Sequence, residues 1–297
     1  MKVFVILNPV AGHCDVHAVR DALDRHLSGA GIAYCVYETT GQERLSEIVR
    51  SAIDEGFDTF VAAGGDGTIS GVIDGLVHTG LPLGILPVGT VNTLARELEI
   101  PLDLVRALRL VVGEHATISM DVGRIEGHFF ALNASVGAST SAMQATGQQE
   151  KRRLGPFAYL GPGIKALFGA QPHDFEIEVD GHSRHWRASE VVVANGGTVG
   201  DPVLRWGPDI RVDDGQLDLC VVRARSLLDY LLIAWNLLWG TQRRDRRLRC
   251  QRVRHSMSIQ GREKMPVQVD GEIVGETPIR VEVLPDAVLV IIPESGK

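Results

Sequence analysis

The sequence predicts two domains: an α/β N-terminal domain with a Rossmann-like parallel sheet, and a mainly β, sandwich-like C-terminal domain. Three observations carry that expectation. Strand-like and helix-like segments alternate up to about residue 121. Turns that follow strand-like runs in this half are rich in glycine. Beyond it, short strands separated by Gly/Asp turns dominate. A length of 297 residues suits two domains, and the boundary is placed between residues 121 and 122.

The first strand is read at Val3 to Leu7, followed by the turn Asn8-Pro9-Val10-Ala11-Gly12 and a helix with Val16, Val19, Leu23 and Leu27 on one face. Ile32 to Tyr37 reads as the second strand and Leu45 to Ile53 as the second helix. Phe57 to Ala63 is a short apolar run with β-branched members, read as a buried third strand. Three glycines then fall within Gly64-Gly65-Asp66-Gly67-Thr68, ahead of a helical pattern of Ile69, Val72, Ile73, Leu76 and Val77. Strand, glycine turn, helix is the geometry that puts phosphate at a helix N-terminus, where backbone N–H groups face the anion. Asp66 cannot bind phosphate directly, because like charges repel. It makes sense as the holder of a divalent cation that bridges phosphates. Thr68 is the expected N-cap and a phosphate donor. Leu83 to Leu86 is the fourth strand, ending in Pro87-Val88-Gly89-Thr90-Val91-Asn92. Such sheets bind ligands beyond the carboxyl ends of their strands, which is where these loops begin.

From Met120-Asp121-Val122-Gly123 onward the expected strands are Val122–Ile125, Phe129–Ala134, Phe175–Val179, Trp186–Ala194, Leu217–Val222, Val253–Ile259, Val267–Val269, Ile279–Leu284 and Val288–Ile292. Asp180-Gly181 and Asp270-Gly271 are expected hairpin turns. Two helical segments interrupt the strands. One follows Lys151-Arg152-Arg153, with Leu154 to Leu160 and Ile164 to Phe168. The other, Leu227 to Trp239, carries Tyr230, Trp235 and Trp239 and precedes Arg243, Arg244, Arg246, Arg247 and Arg249, opposed only by Asp245. The helix is expected to pack on the β domain, and the arginines to meet an anionic membrane.

Composition narrows the function. A net charge of −7 excludes a general nucleic-acid binder. The four cysteines, Cys14, Cys35, Cys220 and Cys250, form no C-x-x-C, so a reduced, cytoplasmic setting is expected. Val3 to Leu7 is too short for a signal-peptide core. No uncharged apolar stretch approaches the ~18 residues of a spanning helix. Contact with the inner membrane face would therefore be peripheral. A homodimer remains open, and His13 and His17 read as solvent-facing polar side chains.

Gly64 to Thr68 resembles the nucleotide-binding signature of the diacylglycerol kinase catalytic-domain superfamily, which includes bacterial lipid kinases and sphingosine kinases, with NAD kinases as distant relatives. Asn8 to Gly12 resembles its first nucleotide loop, and Pro87 to Arg96 its second conserved block, where Thr90 matches a nucleotide contact. Diacylglycerol kinases often carry Asp after the Asn of that block; here the position is Thr93. Asn133 to Gly137 resembles a family block at the interdomain cleft. Asp213-Asp214-Gly215-Gln216-Leu217-Asp218 resembles a block that holds a structural magnesium in some members, with Asp214 the chosen side-chain ligand or else part of a metal-free hairpin. Val269 to Glu272 resembles the block whose glutamate is the catalytic candidate.

The resemblance implies a two-domain lipid kinase in which 286–297 rejoin the first domain. It implies ATP and Mg²⁺ as cofactors and a lipid with a free hydroxyl, such as diacylglycerol, as acceptor. Asn8, Pro9, Gly12, Thr39, Thr40, Gly64, Gly65, Gly67, Thr68, Gly89, Thr90 and Asn92 would border the nucleotide. Asp66 would hold the metal, and Glu272 would accept the hydroxyl proton. A NAD kinase is the enzyme alternative, although the run G-x-N-x-G-x-L-G-F is absent after the fourth strand. A catalytically silent nucleotide-binding regulator is the non-enzyme alternative.

Overall fold

The computed structural model describes residues 1–12, 14–138, 140, 172–199, 201–207 and 209–294. His13 and the helical segment expected at 151–168 lie outside the described residues. The chain forms two compact units, 1–122 with 285–297, and 123–284.

The first unit alternates β1 (Lys2–Leu7), α1 (Val16–Leu27), β2 (Ala33–Glu38), α2 (Leu45–Asp54), β3 (Thr59–Gly64), α3 (Asp66–Leu76), β4 (Pro82–Pro87), α4 (Thr93–Glu97), α5 (Leu104–Val112) and most of β5 (Ala116–Ile125). β1 lies between β2 and β3, and β3 pairs with β4, all in parallel. Such parallel pairing needs crossovers, which the helices supply. All six residues of β3 are buried, as expected of a strand covered on both faces. α1 packs against α5, and α2 against α3. The order β2-β1-β3-β4 places a topological switch point between β1 and β3, so the loops after these strands diverge to opposite faces and leave a crevice. The α5 pattern Leu104, Ala107, Leu108, Val111 has helical spacing that the sequence reading passed over.

In the second unit the strands are β6 (His128–Phe130), β7 (Asn133–Gly137), β8 (His173–Val179), β9 (His182–Ala188), β10 (Glu190–Ala194), β11 (Thr198–Val199), β12 (Asp201–Arg205), β13 (Leu217–Val222), β14 (Leu248–Val253), β15 (Ser256–Gly261), β16 (Pro266–Val269), β17 (Glu272–Glu276) and β18 (Ile279–Ile292). One antiparallel sheet runs β14-β13-β10-β7-β16-β17. A second contains β15, paired antiparallel with β8 and with the first residues of β18. Between them lies a core that includes Phe130, Val136, Phe175, Ile177, Val191, Val193, Leu219, Val267 and Val281. The residues of β10 and β13 that alternate with these, Val192, Ala194, Cys220 and Val222, form another core with Ile233 and Leu237 of helix α6 (Leu227–Leu238).

Three runs expected as single strands are each divided. Phe129–Ala134 breaks between β6 and β7, Trp186–Ala194 at Ser189, and Val253–Ile259 between β14 and β15. At each break the chain passes from one sheet to the other. Two of these corners are fixed by hairpin aspartates. Asp270 accepts hydrogen bonds from the N–H groups of Ala131, Leu132 and Asn133 at 2.8, 3.0 and 3.0 Å. Asp180 accepts those of Arg254, His255 and Ser256 at 2.9, 2.9 and 3.2 Å. Each aspartate leads an Asp-Gly pair with positive φ, 43° then 92° for Asp270-Gly271 and 48° then 83° for Asp180-Gly181. That is the conformation of a tight hairpin turn, and it aims the carboxylate back at the sheet. Conversely, Ile279–Leu284 and Val288–Ile292, expected as two strands, form the single strand β18. Its C-terminal residues Leu289 and Val290 pair in parallel with β4 of the first unit, whereas its first residues pair with β15.

The expectation of four reduced cysteines is corrected: Cys220 and Cys250 form a disulfide. They are 30 residues apart in sequence, but β13 and β14 pair in a register that sets them directly opposite each other. Cys14 and Cys35 are free.

Candidate functional site

Three loops of the first unit close on one another at the ends of β1, β3 and β4. Asn8, just past β1, donates from its backbone N to the Ala63 carbonyl at 2.9 Å and from Nδ2 to Thr68 Oγ1 at 3.0 Å. Its Oδ1 accepts from Val10 N at 3.1 Å, which shapes the Pro9–Gly12 turn. Gly12 has φ +53°, and a Cβ there would meet Gly89 C at 2.8 Å and Val88 O at 2.9 Å. A Cβ on Gly89 would in turn meet Gly65 Cα at 2.4 Å. Glycine is required at these contacts because three backbones approach more closely than any side chain permits.

Helix α3 begins at Asp66 with Gly65 as its N-cap. Thr68 is therefore not the N-cap that the sequence suggested. It is buried in the first turn, its hydroxyl engaged by Asn8. The leading N–H groups of a helix have no partner within it. Asp66 and Gly67 supply two such donors, and Gly67 is exposed with no atom within 4 Å of its Cβ position. The Asp66 carboxylate spans to the next loop: Oδ2 accepts from Thr93 N and Oδ1 from Leu94 N, each at 3.0 Å. It thereby caps the short helix α4. Asn92, at φ 54°, is buried and donates from Nδ2 to Pro87 O at 3.1 Å and Gly89 O at 2.9 Å. Its Oδ1 is buried without a hydrogen-bond partner among the described residues.

Asn8, Pro9, Gly12, Gly64, Gly65, Asp66, Gly67, Thr68, Gly89, Thr90 and Asn92 thus belong to one cluster of loops. Thr39 lies at the end of β2, its N bonded to Leu7 O at 2.9 Å. The Thr40 hydroxyl donates to Glu43 at 3.0 Å. Glu43, which the sequence reading missed, also accepts from the backbone N of Thr40 and Gln42 at 2.7 and 2.8 Å. These bonds, led by the one from Thr40, hold its carboxyl down at about 2. The Thr40-x-x-Glu43 spacing was the available signal. His17 is exposed.

In the second unit, Glu272 opens β17 opposite Val269 and is exposed. Asp214 Oδ1 accepts from Gln216 N at 3.1 Å, a local turn, while Asp213 pairs with Arg211 at 2.9 Å. Burial and the neighbouring Asp214 push the Asp218 carboxyl up to about 6. Among the described residues no three His, Cys, Asp or Glu side chains gather as a metal cage.

The second unit also holds a cavity of about 680 Å³ between its sheet and α6. Val192, Leu204, Val222, Ile233 and Leu237 give it apolar walls, and Asn133, Ser135 and Gln268 bring polar groups. Sheet register explains the division: Ser135 stands beside Val192 on one side and Gln268 on the other, and Ser135 Oγ donates to Gln268 Oε1 at 2.9 Å. Val192 and Val222 thus face it from β10 and β13, with Glu190 at the start of β10, and polar residues face it from β7 and β16.

Comparison with known proteins agrees with this division. Residues 2–125 match the diacylglycerol kinase catalytic domain, and residues 133–292 match the YegS C-terminal NAD kinase beta sandwich-like domain. The chain is 30% identical over 287 residues to a diacylglycerol kinase of Bacillus subtilis, covering 92% of this chain and 90% of that one. It is 27% identical over 297 residues to a diacylglycerol kinase of Staphylococcus carnosus, covering 99% and 95%. A solved diacylglycerol kinase structure from Bacillus anthracis superposes with a TM-score of 0.80 at 26% identity, covering 98% of this chain and 96% of that one. With the glycine loops on its parallel sheet and a β sandwich following, this chain belongs to the diacylglycerol kinase catalytic-domain family.

Proposed function

We propose that the protein is an ATP-dependent lipid kinase that transfers the γ-phosphoryl group to a free hydroxyl of a lipid such as diacylglycerol. The observation that carries the acceptor class is the cavity of about 680 Å³, whose walls suit a hydrocarbon chain. On the nucleotide side, the glycine contacts leave room for phosphate at the N-terminus of α3, where free N–H groups favour an anion. The donor set fits magnesium only in the form it usually takes with nucleotides: one carboxylate, several waters and phosphate oxygens. Each Asp66 oxygen makes one backbone hydrogen bond, so lone pairs remain to hold metal-bound water. When bound, magnesium neutralises phosphate charge.

In this reading the Gly64–Gly67 backbone cradles phosphate, Thr90 and the Asn8 loop border the nucleotide, and Glu272 accepts the acceptor hydroxyl proton. Asp214 is proposed as the side-chain ligand of a separate structural magnesium, with backbone carbonyls completing its oxygen shell. The test uses purified protein with ATP, Mg²⁺ and diacylglycerol in mixed micelles, beside a panel of other hydroxyl-bearing lipids. Phosphorylated lipid is expected, with NAD left unchanged. NADP formed at a comparable rate would favour the NAD kinase alternative, and nucleotide binding without turnover on any acceptor would favour a silent regulator.

A further inference from the structure

Among the described residues, exposed large apolar side chains concentrate on α6. Leu228, Leu231, Leu232, Trp235, Leu238 and Trp239, just past its end, are between 37% and 66% exposed. Their spacing, i, i+3, i+4, i+7, i+10, i+11, lines one side of the helix. The opposite side, with Ile233 and Leu237, is buried in the β domain. The helix is therefore apolar on both sides, and among the described residues the domain covers only one of them. Trp235 and Trp239 pack against each other along the outer side, their rings tilted by 55° with centroids 5.7 Å apart.

A polar edge borders this outer side. Asp229 and Asn236, one heptad apart, face two adjoining concavities that share Arg246 and Arg247. The one beside Asp229, of about 320 Å³, is lined by Arg187, Arg223, Arg225, Arg246 and Arg247. Arg247 is neutralised by Asp229 at 3.3 Å and Asp245 at 2.9 Å. Arg187, Arg223, Arg225 and Arg246 are exposed and, among the described residues, have no carboxylate partner. This differs from the arginine run read in the sequence. Arg243 is paired with Asp209, Arg247 is internally satisfied, and Arg246 is joined instead by arginines from β9 and the segment after β13.

We propose that the outer side of α6 and this arginine concavity together dock the protein on an anionic bilayer, the leucines and tryptophans entering the interface while the four unpaired arginines take phosphate headgroups. Charge complementarity selects this occupant. The four uncompensated guanidinium groups of the concavity attract an anionic surface locally even though the chain carries a net charge of −7, whereas the same concavity on a second copy would repel them. Interfacial tryptophans beside arginines are the side chains that the headgroup layer accommodates.

The test reads vesicle binding without nucleotide, so its outcome is separate from that of the kinase reading. The full chain is sedimented with phosphatidylglycerol/phosphatidylcholine vesicles and with phosphatidylcholine alone. Binding is expected on the anionic vesicles, weakening as salt rises, with tryptophan fluorescence quenched by brominated lipid. Replacing Arg187, Arg223, Arg225 and Arg246 with Gln should lower affinity on the order of 10²-fold. Trp235→Gln with Leu238→Gln, both outside the acceptor cavity, should lower it comparably and abolish most of the quenching. A control removes the same charge from Arg25, Arg44, Arg106 and Arg109 of the first unit, and circular dichroism establishes that each variant is folded. Unchanged binding in either test variant overturns the proposal. Equal loss in the control also overturns it, because net charge alone would then be responsible. So does an apolar-face variant that alters self-association while vesicle binding persists.

Discussion

Two glycines of the loop cluster should respond oppositely to the same added methyl group. In Gly67→Ala the Cβ enters open space on an exposed residue of the first turn of α3. Alanine exceeds glycine in helix propensity by up to about 1 kcal/mol, so the fold should be as stable as before or more so, raising Tm by up to about 4 °C. If that space is where phosphate meets the helix N-terminus, the methyl group nevertheless obstructs the ligand. A tenfold or larger rise in KM for ATP is expected, about 1.4 kcal/mol or more. In Gly89→Ala the Cβ would sit 2.4 Å from Gly65 Cα and 3.0 Å from Gly65 N. Carbon atoms rest near ~3.5 Å, so the two loops must part by about 1 Å. Backbone cannot rotate away as a side chain can, and overpacking of this kind costs about 1–3 kcal/mol. Tm should fall, and misplacement by about 1 Å should lower turnover on the order of 10²-fold. Thermal unfolding by calorimetry and an ATP titration of turnover read both variants. A folded Gly67→Ala protein with unchanged KM and kcat would refute the phosphate cradle. A common sign for the two Tm shifts would refute the packing account.

Asp66→Asn should lower turnover by ~10²-fold or more by removing the charge expected to recruit magnesium. It should also lower Tm, because an amide keeps only one acceptor oxygen for the N–H groups of Thr93 and Leu94; wild-type turnover at saturating Mg²⁺ would sink the role. Asp214→Ala should lower Tm, and chelator should lower the wild type but not the variant; equal responses would count against a structural cation. Burial pushes the Asp180 carboxyl up, but the N–H groups of Arg254, His255 and Ser256 together outweigh burial and hold it below its ordinary value of 3.8. A depressed folded pKa gives stability that is present above that ordinary value and lost as pH falls through the folded one. Asp180→Asn should therefore flatten acid unfolding below about pH 4, and an unaltered acid limb would contradict this staple.

The parallel half was legible because its signals are local. A run such as Phe60-Val61-Ala62-Ala63 is apolar throughout because both faces are covered, and glycine marks where it stops. The β half was legible in strand content but not in its corners. Phe129–Ala134 and Val253–Ile259 read as unbroken because apolar alternation runs through each break. What ends pairing there is a carboxylate about 75 to 139 residues away in sequence, as for Asp180 to His255 and Asp270 to Ala131. The Asp-Gly turns themselves were visible; what their side chains capture was not. The cysteine pair was hidden because cross-strand register sets its members opposite each other, and the arginine concavity because its members come from β9 and from loops far apart in sequence. In the loop cluster the residue types were legible, but the first turn of α3 was misplaced. Glycines at Gly65 and Gly67 suggested a loop continuing to Thr68, whereas the helix starts at Asp66.

That shift changes what Thr93 means. A carboxylate at this position would lie beside Asp66 and add a second negative charge next to it. The structure ties Asp66 to position 93 through the backbone N–H, a group every residue but proline carries. The clamp between α3 and α4 is therefore indifferent to the departure from the family's frequent aspartate. Asn92 is not replaceable in the same way. Its positive φ and its two bonds to Pro87 O and Gly89 O turn the chain so that the next two N–H groups point at Asp66. In the proposed reading one carboxylate then has two tasks: it fixes the loop that brings Gly89 against Gly65, and its remaining lone pairs are left for a cation. Repulsion from a neighbouring acid would favour the second task only by stressing the first, so a neutral residue at 93 leaves the loop geometry with less electrostatic strain.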